Sequence, residues 1–98
     1  MSKFGELISV NVPVLFNFYT IWNEDTVVMN EVLRNVAAAL GDKAAVIKID
    51  IEKNPELSEA LRIKSVPTFI IFKEGVMKWR QSSVLDENTL IHHLKRIL

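Results

Sequence analysis

The chain has 98 residues, 49% hydrophobic and 24% charged, the balance of one folded domain rather than of a disordered tail. Its 12 Lys and Arg offset 12 Asp and Glu, so there is no basic surplus to bind nucleic-acid phosphates or an anionic membrane. It contains no cysteine, which excludes thiol chemistry, disulfides and thiolate-bound metals, and suits a reducing cytoplasm.

The N-terminus, Met1-Ser2-Lys3-Phe4-Gly5-Glu6, lacks an apolar signal core and carries an acid early. Phe4, Leu7 and Ile8 share a helical face, giving a short helix that ends near residues 9–11. Pro13 opens a strand, Val14-Leu15-Phe16-Asn17-Phe18-Tyr19. Asn23 is read as the N-cap of a long helix, with Glu24 and Asp25 in its first turn as partners of the helix dipole. Val28, Met29, Val32, Leu33, Val36 and Leu40 then recur at helical spacing until Gly41 stops the helix. Ala45-Val46-Ile47-Lys48-Ile49-Asp50 is the next strand, and Asn54-Pro55-Glu56 starts a short helix running to Leu61.

After Val66-Pro67, the run Thr68-Phe69-Ile70-Ile71-Phe72 reads as a strand buried on both faces. Glu74-Gly75 is a tight turn, and Val76–Gln81 returns antiparallel, with Lys78 and Arg80 alternating against Met77 and Trp79. Asp86 caps a last helix with Leu90, Ile91, Leu94 and Ile97 as its apolar stripe. The longest apolar runs, 66–72 and 12–16, fall far short of the about 20 residues that a membrane helix needs. With no repeat and no linker, residues 1–98 are read as a single domain. The order α-β-α-β-α-β-β-α requires one parallel strand pair and a closing hairpin, hence an α/β sandwich whose mixed sheet carries helices on both faces.

These residues resemble a thioredoxin over nearly the whole chain. The resemblance is carried by Val14-Leu15-Phe16-Asn17-Phe18-Tyr19-Thr20-Ile21-Trp22, Val46-Ile47-Lys48-Ile49-Asp50, Ile63-Lys64-Ser65-Val66-Pro67-Thr68 and Phe72-Lys73-Glu74-Gly75, in that order and spacing. It implies the three-layer α/β/α thioredoxin fold with a sheet of four or five strands. Thioredoxins carry W-C-G-P-C where the long helix begins. Trp22 matches the first letter, but Asn23, Glu24, Asp25 and Thr26 fill the other four positions. A helix N-terminus lowers the pKa of a thiol placed there. Here two carboxylates occupy that position, and neither Asn nor Thr can form a mixed disulfide.

The family also places an Asp on the first central strand, paired with a Lys on its neighbour, for proton transfer. Asn17 stands at the Asp position while Lys48 is retained. A lysine without its acid must find another partner, reach solvent or lower its pKa, and Asp50 lies two residues away on the same strand face. The proline that kinks the family's long helix is replaced by Glu31, which implies a straighter helix.

The resemblance leaves a groove. It implies a cis bond before Pro67, a wall formed by Trp22, and a third wall at Ser82 and Ser83 where the family has a glycine-containing loop. The function expected is a redox-inactive module that binds a protein or peptide through Trp22, residues 23–26, Val66 and Pro67, with no catalytic residue, cofactor or metal. Two other readings compete with it. One is a component of a thiol–disulfide oxidoreductase system that works through the thiol of a partner or of a ligand such as glutathione. The other is a homodimer across the Trp79 edge. Trp79 is read as core filler, and His92 and His93, adjacent on a helix and about 100° apart, as solvated surface.

Overall fold

Strand β1 (Val14–Tyr19) is buried along almost its whole length, so both of its faces need cover. The computed structural model describes residues 3–98 and supplies that cover from two pairs of helices; Met1 and Ser2 lie outside the described residues. The elements are α1 (Lys3–Ile8), β1, α2 (Thr26–Leu40), β2 (Ala45–Asp50), α3 (Pro55–Ala60), β3 (Thr68–Lys73), β4 (Val76–Gln81) and α4 (Glu87–Ile97). Four strands run in the order β2-β1-β3-β4, with β1 and β2 parallel and the other pairs antiparallel.

Strand alternation then sorts the core into two layers. Leu15, Phe69 and Ile71 pack against Met29, Leu33, Val36 and Leu40 of α2 and Leu90 and Leu94 of α4. Val14, Phe16, Phe18, Ile70 and Phe72 pack against Phe4, Leu7 and Ile8 of α1 and Leu57 of α3. In this second layer the Phe4 ring lies 5.0 Å from Phe16 and meets Phe72 edge-on at 5.4 Å. The result is the expected three-layer α/β/α sandwich.

The start of α2 departs from expectation. The helix begins at Thr26, its N-cap is Asp25 rather than Asn23, and its first turn holds no acid. The cause is local: the Asn23 Oδ1 accepts the Asp25 N–H at 2.8 Å, which turns the chain once before the helix begins. Glu24 and Asp25 therefore precede the helix. Val28, expected in the buried stripe, is 57% exposed. At α4 the cap is the expected one, the Asp86 Oδ1 accepting the Thr89 N–H at 2.8 Å. Hydrogen bonds from Thr89 also hold that carboxyl below its ordinary pKa.

The β3–β4 turn has Glu74 at φ 53° and Gly75 at φ 81°, the two positive angles of a hairpin turn that matches strand twist. Beyond it, β4 breaks the expected alternation. Trp79 pairs with Ile71 but Met77 with Phe72, so Lys78 is left without a partner in a β-bulge. Trp79 is half-buried and packs on the α2/α4 core. His93, expected at the solvated surface, is instead half-buried, and its ring stacks on Trp79 with centroids 4.3 Å apart. Among the described residues no helix is long and apolar enough to cross a membrane.

Candidate functional site

The sheet brings the expected site residues to one end. Because β1 and β3 are antiparallel, β1 finishes where β3 begins, with Phe18 opposite Thr68. Parallel β2 finishes beside β1, with Tyr19 opposite Asp50, and β4 ends with Gln81 opposite Phe69. Residues 20–25, the turn after Asp50, the Val66-Pro67 segment and Ser82 therefore emerge together. The carboxyl ends of parallel strands are where open α/β sheets commonly offer a crevice.

Trp22 is 76% exposed, and its Nε1–H donates to Glu52 Oε1 at 2.8 Å. Asn23 joins two loops. While its Oδ1 holds the Asp25 N–H, its Nδ2 donates to the Val66 carbonyl at 3.3 Å. Thr26 donates its hydroxyl to the Thr20 carbonyl at 2.7 Å and its N–H to the Asn23 carbonyl at 3.1 Å. The side chains of Asn23 and Thr26, at the positions where the resemblance expects cysteines, are thus spent on holding their own loop. Glu24 is exposed, and the Asp25 side chain caps nothing. Ile21 and Val27 are 63% and 77% exposed, so apolar surface flanks the loop on both sides.

The Val66–Pro67 peptide bond is cis, Val66 is half-buried and Pro67 is buried. Behind them the Thr68 hydroxyl donates to the Ser65 carbonyl at 2.7 Å and lies 2.8 Å from the Ser82 hydroxyl. A hydroxyl has one proton to give, so Ser82 is the donor in that second bond. Ser82 is therefore tied to the site, whereas Ser83 accepts from Gln81 Nε2 at 3.0 Å.

Asn17 lies beneath this loop with 0% exposure, and neither its amide oxygen nor its nitrogen has a hydrogen-bond partner. It lines a narrow cleft with Tyr19, Asn23, Thr26, Met29, Val66 and Pro67, which has no room for a water molecule. Lys48 is its partner in the strand register, yet the two make no hydrogen bond. Lys48 is instead exposed, donates to Asn30 Oδ1 at 3.1 Å and sits 5.9 Å from the Tyr19 ring centroid. Asp50 is not its counterion, because the Asp50 Oδ1 accepts the N–H groups of Glu52 and Lys53 at 2.9 and 3.4 Å.

The roles of Glu52 and Asn30 could not be read from sequence, since each partner lies on another element and nothing local marks the pair. Among the described residues no group of three or more His, Asp or Glu is placed to hold a metal ion.

The family model described as Thioredoxin matches residues 1–96. The chain is 39% identical over 98 residues to the chloroplastic thioredoxin Y of rice, a match that covers 99% of this chain and 58% of that protein. It is 32% identical over 95 residues to a thioredoxin-like protein of Synechocystis, covering 96% of this chain and 90% of the relative. Among solved structures, a mutant thioredoxin from Halobacterium salinarum superposes with a TM-score of 0.87 at 27% identity, covering 99% of this chain and 84% of that one. The chain spans 58% and 59% of the lengths of the rice and Arabidopsis chloroplastic proteins it matches.

Proposed function

The chain belongs to the thioredoxin family, and we propose that within it this protein binds a protein or peptide segment and carries out no redox step of its own. The reading rests on one observation. Where a thioredoxin has its two cysteines, Asn23 and Thr26 hold the loop shut against Thr20 and Val66, and an exposed tryptophan stands beside them. No thiolate is present to attack a disulfide, and no side chain there has a base poised to activate it.

The contact surface in this proposal is Trp22, residues 23–26, Val66 and Pro67, with Ser82 and Ser83 at its rim. Tryptophan is the residue type most enriched among the anchors of binding surfaces. Glu24, Asp25 and Glu52 surround it with carboxylates, which favours a segment carrying Lys or Arg beside apolar side chains and disfavours an anionic thiol such as glutathione. A second copy pairing along the β4 edge is disfavoured as well, because a bulge carrying a lysine blunts strand addition.

Selection of peptides from a random library against the full chain tests the reading. Basic-apolar peptides whose binding is lost in Trp22→Ala are the expected result. Reduction of insulin disulfides above the dithiothreitol background, or saturable binding of glutathione, would overturn it.

A further inference from the structure

In an unbroken strand Lys78 and Trp79 would face opposite sides of the sheet. The bulge removes that alternation, and both side chains line one cleft with His93, Arg96 and Ile97 of α4. This cleft is far from residues 23–26, against the last turns of α4. It measures about 130 Å³, against the ~10–15 Å³ of such space that one water requires. The stacked rings of Trp79 and His93 form one wall.

Lys78 and Arg96 are both exposed, and among the described residues neither side chain makes a hydrogen bond or an ion pair. No Asp or Glu lines the cleft. The carboxyl end of α4, which carries the negative pole of the helix dipole, is already countered. The Lys73 Nζ donates to the backbone oxygens of Ile97 and Leu98, each at 3.2 Å. Arg96 is therefore not needed as the cation that steadies the helix end. Burial first, and then the charges of His92 and Arg96, push the His93 pKa below its ordinary value.

We propose that this cleft binds the phosphoryl group of a small phosphorylated ligand. The Arg96 guanidinium would span two phosphoryl oxygens as a fork, and the Lys78 ammonium would meet the third as a point charge. The ring wall then gives the carrier of the phosphate an apolar surface to lie against. The site is independent of the peptide groove.

The test is a titration of the full chain with phenyl phosphate and, separately, inorganic phosphate, followed by ¹⁵N–¹H spectra, with sodium chloride at matched ionic strength as the control. Saturable shifts of the Trp79 indole N–H and of the Lys78, His93 and Arg96 amides are expected, with the Trp22 indole unmoved. Tighter binding of phenyl phosphate assigns the site to a ring-bearing phosphate ester. Equal binding assigns it to the free ion, and both results support a phosphoryl site. The double variant Lys78→Gln with Arg96→Gln alters two exposed side chains, so it should keep a dispersed spectrum while losing about tenfold or more in affinity. Shifts that never saturate, equal shifts in chloride, or a double variant that binds like the unmodified chain would each overturn the proposal.

Discussion

Phe16 and Asn17 are neighbours on β1, both with 0% exposure, and they look into opposite layers of the molecule. Phe16 meets the rings of Phe4, Phe18 and Phe72 at centroid distances of 5.0, 6.1 and 5.8 Å. Asn17 meets nothing that its amide can bond. The difference shows what each face requires. An apolar face is satisfied by shape alone, so any well-fitted ring completes it. A buried amide needs a donor and an acceptor in place, and without them it costs stability of about 1–3 kcal/mol for each unpaired group. Position 17 corresponds by resemblance to an acid that serves chemistry in the family. Here it lies under a loop that holds no thiol for that chemistry.

The largest effect that bears on this contrast is expected at Phe16. Phe16→Ala should destabilise the chain by about 3–5 kcal/mol in urea unfolding, because it empties the centre of the phenylalanine layer. A loss below ~1 kcal/mol would mean that the layer can collapse onto the gap, and the contrast with Asn17 would fail. Asn17→Val should act in the opposite direction. Removing the orphaned amide while keeping a strand-favouring side chain should stabilise the fold by about 1–3 kcal/mol. Destabilisation by Asn17→Val would show instead that the amide is satisfied.

The layered fold was legible in the chain because short, nearly continuous apolar runs such as 14–19 and 68–73 and the helical stripe through Met29, Leu33, Val36 and Leu40 are local patterns. The resemblance also named Trp22, Asn23, Thr26 and Pro67 from sequence, and the structure brings them to one end of the sheet. Two features could not be read. The N-cap moved from Asn23 to Asp25 because the Asn23 side chain found the Asp25 N–H and the Val66 carbonyl, and the second of these comes from 43 residues away. The bulge at Lys78 arises from how β4 pairs with β3, and the alternation of Lys and Arg with Met and Trp looks regular until that pairing exists. At the bulge a pairing distant in sequence overrode a local signal; at Asn23 a bond two residues away moved the cap, and a distant one to Val66 joins it.

Smaller effects sharpen the same comparison within the α2/α4 layer. Asn23→Ala should cost about 1 kcal/mol, the scale of one net side-chain hydrogen bond. It should also raise amide hydrogen exchange in residues 20–25, which the bond to Val66 holds. Unchanged exchange there would remove the argument that Asn23 keeps the loop shut. Farther along this layer, burial and the charges of His92 and Arg96 keep the His93 pKa below its ordinary 6.5. The unfolded chain therefore takes up that proton first as pH falls. The stability tied to this ring is whole above about pH 6.5 and is lost as pH drops through the lower, folded value. An NMR titration of the His93 ring should give the lowered value, and His93→Gln should flatten this part of the stability profile.

The smallest change in stability is expected at the residue on which the proposed binding function depends most. Trp22 is 76% exposed and held by a single hydrogen bond to Glu52, so Trp22→Ala should shift unfolding by no more than ~0.5 kcal/mol. If Trp22 is the anchor of a peptide contact, the same substitution should weaken binding by about 2 kcal/mol or more. Phe16 and Trp22 are both large aromatic residues at the two ends of one strand-and-loop segment, and they should divide these roles. Substituting the first should strongly destabilise the fold, and substituting the second should leave it stable and unable to bind. A Trp22→Ala variant that lost as much stability as affinity would mean that the ring is a structural cap on the loop, and the case for a binding surface at this end would go with it.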